Sequence, residues 1–361
     1  MHMKYLILKW IYAALYYLCI FKLFYFLQRN QQTIITYHNI ISDDIFNSDL
    51  MHLGVSCSEK AFINQINVIL SRFNITTEIG IPGSCVISFD DGYRNNIEIA
   101  SYILNEKNIH GLFFVPACYF DNNHDNSTIL WIDQILMWVS YAPSGKYLIL
   151  GDEVSVTPDS ASRHLLWTYL YQKILSKYSI LASLIRELDN NYSFSELKKT
   201  INTKMYQLRF ETMTVKELDE MKKMGHKLGC HSFKHDILSL LTEKQLEHDF
   251  LMCSFHSDKY NTNLYSYPFG GKNEVSANVI SKCKKYNYSA AFLNYETNSQ
   301  DIYALGRISL GNKTDKWFIE AQLCGFEKFL KELINIYNQP AKVIVNLLRK
   351  IFYGNIAAFR N

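Results

Sequence analysis

Two adjacent carboxylates, Asp90 and Asp91, close the apolar run 85–89 and are followed by Gly92. Neighbouring side chains at a strand end point in different directions, so one carboxylate can ligate a metal while the other accepts a proton. The same three residues are also good turn or helix N-cap chemistry. A second constellation is His231 and His235, four apart and just after another apolar run. If that segment turns helical, both rings share a face and can grip one divalent ion. An Asp from another strand end would complete a two-His, one-carboxylate site with open positions for water and substrate. His38 ends a third run, after Thr36 and Tyr37, where a histidine either makes a structural hydrogen bond or serves chemistry. Pro268-Phe269-Gly270 forms a tight turn after a strand, and its backbone N–H groups could serve an oxyanion.

The elements that carry these residues alternate in type. Strands are expected at 33–38, 85–91, 112–116, 227–232, 264–270, 289–293 and 304–310. Capped helices are expected between them: Ser56 with Glu59, Thr214 with Glu217 and Thr242 with Gln245 read as capping pairs. Phe62, Ile66, Ile69 and Phe73 share one helical face. Alternating strands and helices argue for a parallel sheet. Seven strands with polar residues at their C-terminal ends suggest an imperfect barrel with its site on that face. Residues 120–210 break the rhythm with apolar helical patterns and read as a helical insertion in which no chemistry stands out.

Taken in order, Ser88-Phe89-Asp90-Asp91-Gly92-Tyr93, His231-Ser232-x-x-His235 and Tyr267-Pro268-Phe269-Gly270 resemble the polysaccharide deacetylase family (NodB-homology, carbohydrate esterase type). The resemblance covers roughly residues 33–118 and 211–310. It implies an α/β fold, a distorted seven-stranded (β/α) barrel with the helical insertion, and metal-dependent removal of N-acyl groups from amino sugars. Carried over by position, Asp90 matches the catalytic base. Asp91, His231 and His235 match the ligands of a divalent metal, with Zn²⁺ the expected ion. Phe269, next to Gly270, matches the turn residue whose N–H helps to stabilise the oxyanion. Two departures stand out. Many members carry an Arg where this chain has Ser266, and Arg307 in the last strand is the candidate replacement. The late leucine–x–histidine motif is missing, and Thr36-Tyr37-His38 resembles a permuted version that makes His38 the candidate general acid. A neighbouring carboxylate is expected to hold His38 protonated near neutral pH, and Tyr93 is a candidate for stacking on a sugar ring.

At 361 residues, 48% hydrophobic and 20% charged, the chain is globular and long enough to bury a core without staples. The formal charge of +3 gives no reason to expect nucleic-acid binding. Its distribution says more. Residues 1–30 carry Lys4, Lys9, Lys22 and Arg29 without an acid, and 326–361 also sum to +4, which leaves −5 on the middle. Both basic ends are apolar, a combination suited to an anionic membrane surface. The apolar run 10–21 is too short to span a bilayer and precedes no small-residue cleavage site. After Pro340, Ile344, Leu347, Leu348, Ile351 and Phe352 share one face of a basic amphipathic helix. Eight scattered cysteines without a CxxC pair favour a reducing compartment.

These readings divide the chain into a membrane-associated segment at 1–30, a catalytic domain at 31–325 and a basic amphipathic tail at 326–361. The expected protein is peripheral or monotopic on the cytoplasmic face of the inner membrane. It hydrolyses an N-acyl, foremost N-acetyl, group of an amino sugar in a cell-envelope glycan or its lipid-linked precursor. A deformylase of a lipid-linked formamido sugar is the alternative enzyme. A non-catalytic glycan-binding barrel is the alternative outside catalysis, although such a barrel would normally lose a ligand or the base.

Overall fold

Seven short runs of β-branched, aromatic and small residues form parallel strands in a computed structural model that describes residues 2–49, 55–121, 124, 129–260 and 262–337. They are β1 (Thr33–Tyr37), β2 (Ser84–Phe89), β3 (Leu112–Val115), β4 (Lys227–Cys230), β5 (Leu264–Ser266), β6 (Ala290–Phe292) and β7 (Ile308–Ser309). Their spatial order is β6-β5-β4-β3-β2-β1-β7, and the sheet curls. Leu305, just ahead of β7, bridges in parallel to Phe292 on β6 while Ile308 pairs with Ile35 on β1, so one segment touches both edges. The fold is a distorted (β/α) half-barrel, as the sequence suggested, with a short eighth strand, Asn74–Ile75, paired to β2.

The strands are buried along nearly their whole length, as parallel strands covered on both faces must be. Side-chain alternation then sorts the residues. Ile34, Val86, Phe114, Leu264 and Phe292 form one apolar cluster. On the opposite face the Phe89 and Phe113 rings stack at 4.4 Å, and Phe62 of the helix Glu59–Leu70 packs on Tyr37. Continuing the first face by steps of two leads from Ile34 to Thr36 and His38, from Val86 to Ser88 and Asp90, and from Leu264 to Ser266. Each inward row turns from apolar to polar at the C-terminal end of its strand.

The caps follow local chemistry. Thr214 and Glu217 make a reciprocal capping box, and Thr242 with Gln245 makes another. The first expected pair is displaced: the helix begins at Glu59, so Ser58, the last residue of the strand Ser56–Ser58, is the cap and accepts from the Ala61 N–H, while Ser56 lies two residues too early.

The insertion is not wholly helical. The helices Trp131–Tyr141, Ser160–Ser176, Leu181–Asn191, Phe194–Thr200 and Thr203–Phe210 are joined by an antiparallel hairpin of Gly145–Ile149 and Asp152–Val156. Its two-residue turn, Leu150-Gly151, has φ of 53° and 83°, the conformation that suits a right-twisted hairpin. Trp138, Leu170, Leu184, Leu188, Leu197 and Phe210 fill the apolar cluster under these elements.

The described chain divides into two compact units, 31–314 and the pair of segments 1–30 with 315–361. The barrel unit thus ends at 314, where the sequence suggested 325, because the helix Lys316–Leu323 groups with the terminal segment. In that second unit the helices His2–Tyr17 and Ile20–Gln28 meet at Cys19 and are bent by 70°. Tyr12, Phe21, Ala321, Cys324 and Phe326 form its small core, and Tyr25 donates a hydrogen bond to Glu320. Among the described residues no single helix is long and apolar enough to cross a membrane, though the bent pair is by length and composition. The amphipathic stretch expected after Pro340 lies outside the described residues.

Candidate active site

Asp91 follows β2 with φ 76°, and Gly92 continues the left-handed turn with φ 69°. A non-glycine residue there is uncommon and costs roughly 1–3 kcal/mol, which surrounding structure must hold in place. The turn aims Asp91 at the loop after β4, where Ser232 and His235 have φ of 59° and 61°. His231 Nε2 stands 3.2 Å and His235 Nε2 3.1 Å from Asp91 Oδ1. All three side chains are buried, and their ligand atoms lie within 4.8 Å of one another. Asp91 Oδ1 is fully buried, and the two imidazole Nε2 atoms are turned onto it. His231 Nδ1 pairs with the Ser266 carbonyl at 2.8 Å, leaving Nε2 facing the carboxylate. One carboxylate oxygen and two imidazole nitrogens brought together in a buried pocket fit a divalent transition metal. Burial would raise the Asp91 pKa, but His235 and His231 bring it well below the usual carboxylate range.

Asp90 is held differently. Arg307, 1% exposed, forks onto it with Nη1 2.8 Å from Oδ1 and Nη2 2.5 Å from Oδ2. The Ser266 hydroxyl donates to Asp90 Oδ2 at 3.2 Å and accepts from Arg307 Nη2 at 3.0 Å. Arg307 is fixed in turn by its Nε donating to the Leu293 carbonyl and Nη1 reaching Ser88 Oγ. Burial would raise the Asp90 pKa, yet Arg307 and His231 bring it below its ordinary value.

His38 Nε2 lies 3.9 Å from Asp90 Oδ2, and the ring borders the same cleft. Its carbonyl accepts from Asn96 Nδ2 at 2.8 Å, while Asn95 ties Ile40 and Asn39 to the Leu208 carbonyl. The expectation that a carboxylate keeps His38 protonated near neutral pH is corrected. Burial outweighs Asp91 and Asp90 and pulls the imidazole pKa below its ordinary value.

The cleft measures about 360 Å³ and is bordered by His38, Asp91, His231 and His235. Phe269 also borders it with φ 60°, its ring 5.0 Å from His235, and Gly270 follows with φ 57°. At Gly270 a Cβ would meet the Asn294 nitrogen at 2.6 Å, so only glycine fits that turn. Tyr93 borders the cleft, but its hydroxyl is committed to Asp133 Oδ2 at 2.7 Å.

A family model described as polysaccharide deacetylase matches residues 181–290, the stretch that carries His231, His235 and the Tyr267–Gly270 turn. Over that stretch the chain is similar to the polysaccharide deacetylase family. Among solved structures it is similar to the Streptococcus pyogenes deacetylase PplD in complex with acetate, at 12% identity over 79% of this chain and 94% of that one, with a TM-score of 0.47. It is similar to IcaB from Ammonifex degensii at 14% identity over 82% and 98%, also with a TM-score of 0.47. A third is the de-N-acetylase from Aggregatibacter actinomycetemcomitans, at 12% identity over 79% and 95%, with a TM-score of 0.45. No curated protein matches the sequence.

The insertion contributes more to the cleft than its sequence suggested. Trp131 Nε1 donates to the His235 carbonyl at 2.9 Å, bracing the histidine loop. Asp133 borders the cleft, accepts from Tyr93 and faces Arg209 Nη1 at 3.5 Å; Arg209 Nε also reaches Asp49. Burial pushes the Asp133 carboxyl up to about 6 against the pull of Arg209. The signal was present: Asp133 is a lone acid in the apolar run 129–139, and such a residue is buried only with partners.

Proposed function

We propose that the protein is a metal-dependent N-deacetylase of an amino sugar in a cell-envelope glycan or its lipid-linked precursor. The observation that carries this reading is the convergence of Asp91, His231 and His235 beside an Asp90 clamped by Arg307. Asp91 Oδ1 and the two Nε2 atoms would hold the metal, Zn²⁺ being the best match for this donor set. When bound, such an ion supplies Lewis acidity that polarises an amide carbonyl and acidifies water. Asp90 takes the proton of the attacking water, its carboxylate kept ionised and oriented by Arg307 and Ser266. The Phe269 backbone N–H, presented by a turn that requires glycine at the next position, stabilises negative charge on the acyl oxygen. His38, on the opposite side of Asp90 from the metal donors' loop in the chain order and bordering the same cleft, hands a proton to the departing amine.

The terminal unit supports attachment to a membrane surface. Ile7, Trp10, Tyr17, Leu18, Leu23 and Phe26 are all more than half exposed, far more apolar surface than a soluble domain usually leaves uncovered. Lysines and an arginine in the same segment suit anionic headgroups, and the expected side is cytoplasmic.

The test combines metal analysis with acetate release. Purified protein loaded with Zn²⁺ is offered N-acetylglucosamine oligomers. His235→Ala is expected to lose most bound metal and all but residual turnover while keeping its melting transition. Unchanged metal stoichiometry in that variant would overturn the assignment.

A further inference from the structure

The helix Ser160–Ser176 turns one face to the insertion core and another to the cleft. Leu166, Leu170 and Ile174 belong to the core. His164, Trp167, Thr168 and Tyr171, spaced three and four apart, border the cleft that also holds the candidate metal donors. The Trp167 and Tyr171 rings are parallel to within 8°, with centroids 6.0 Å apart. Tyr171 lies 6.0 Å from the Phe269 ring, which lies 5.0 Å from His235. A run of aromatic rings thus leads from the insertion to the donors. Both outer rings are only half-buried: each packs at the edge of the insertion core and also borders the cleft.

We propose that Trp167 and Tyr171 form a stacking platform for a second sugar ring, so that the site takes an oligosaccharide rather than a single amino sugar. This rests on the deacetylase reading and deepens it. A pyranose presents an apolar C–H face that packs on the electron-rich face of an aromatic ring. Its hydroxyl rim needs polar neighbours, and His164 and Thr168 stand on the same helix face. Pockets built for small ligands share this composition, aromatic walls with a few placed polar groups. A nucleoside diphosphate would also stack. However, among the described residues the acids bordering the cleft are Asp91 and Asp133, and no Lys or Arg borders it to receive phosphate.

The experiment compares the monomer and tetramer of N-acetylglucosamine on the Zn²⁺-loaded full chain. Trp167→Ala and Tyr171→Ala are expected to lower the tetramer-to-monomer ratio of kcat/KM about tenfold each, the scale of one lost ring-stacking contact. Trp167→Phe keeps a ring and should retain most of the ratio. Leu165→Ala, one position away and 70% exposed, should leave it unchanged. Saturation-transfer NMR reads binding without turnover: transfer from aromatic protons to the tetramer should fall sharply in Trp167→Ala. An unchanged ratio and unchanged transfer in both alanine variants would overturn the platform. Transfer that depends on Trp167, with no acetate released from any sugar, would support the platform and remove the deacetylase reading. Tighter binding of UDP-N-acetylglucosamine than of the tetramer, lost in Trp167→Ala, would overturn the oligosaccharide in favour of a nucleotide sugar.

Discussion

As the proposed base, Asp90 would serve two demands that pull against each other. A base must be ionised, which burial opposes, and it must still be able to take a proton, which a tight cation opposes. The forked Arg307 and the Ser266 hydroxyl satisfy the first demand while leaving His38 3.9 Å from the same carboxylate. Arg307→Lys replaces the planar fork with a point charge. It is expected to keep metal content and fold but to lower kcat at least about tenfold, since orientation of the base is lost. Arg307→Met leaves a buried carboxylate unpaired and should cost about 3–5 kcal/mol in denaturant titrations at neutral pH. His38→Ala should retain metal and lower amide turnover by roughly 10²–10⁴-fold, with a much smaller loss on an activated ester that needs no proton donor. The sign of its pH dependence follows from burial. The imidazole pKa is lowered, so the protonated form dominates only below the ordinary histidine value and is lost as pH rises through the lowered one. The kcat/KM profile should therefore carry a descending limb beginning on the acid side of neutrality, and that limb should vanish in His38→Ala. Equal profiles for the two proteins would remove His38 from the chemistry.

At the scale of elements, the histidine loop is braced from two helices. Trp131, at the start of the first insertion helix, donates to the His235 carbonyl. Asp249, in the helix Glu243–Tyr260, accepts from the Phe233 N–H at 3.0 Å. Trp131→Phe keeps the ring and removes the donor, so competition with a chelator should show metal affinity weakened about tenfold. Asp249 is a second, separable test. Burial pushes its carboxyl up to about 7 from an ordinary value near 3.8. A raised folded-state pKa contributes stability that is fully present below the unfolded value and is lost as pH rises through the folded one. Asp249→Asn, which preserves an acceptor for Phe233, should therefore melt above the parent at pH 8 and lose that advantage toward pH 4. The strands were legible in the sequence because parallel strands covered on both faces read as short unbroken apolar runs, and the Asp-Asp and His-x-x-x-His pairs marked two of their ends. The insertion was legible only as helical pattern. Its hairpin, Gly145–Ile149 with Asp152–Val156, is half-exposed and lacks a strong apolar alternation, and the roles of Trp131 and Asp133 depend on partners far away in sequence. Position alone could not show that Arg307 meets Asp90, since nothing local links residues 217 apart.

At the scale of the whole molecule, two compact units carry different chemistry, a barrel with a cleft that holds the candidate donors and a helical unit with an apolar surface. Deleting residues 1–30 is expected to move the protein from the membrane to the soluble fraction. In flotation assays with vesicles containing anionic lipid, high salt should weaken the full chain only partly, because screening removes the electrostatic share of binding and leaves the apolar share. Full-length protein that stays soluble without detergent and ignores vesicles would refute attachment and leave the cleft untouched. The barrel's last strand has a consequence for biosynthesis. Asp91, His231 and His235 all emerge from the ribosome before Arg307, which immediately precedes the strand that closes the sheet. A nascent chain halted between them would own every candidate donor and no clamp for Asp90, able to sequester an ion and unable to hydrolyse. On the proposed mechanism, activity thus waits until that closing strand has been made.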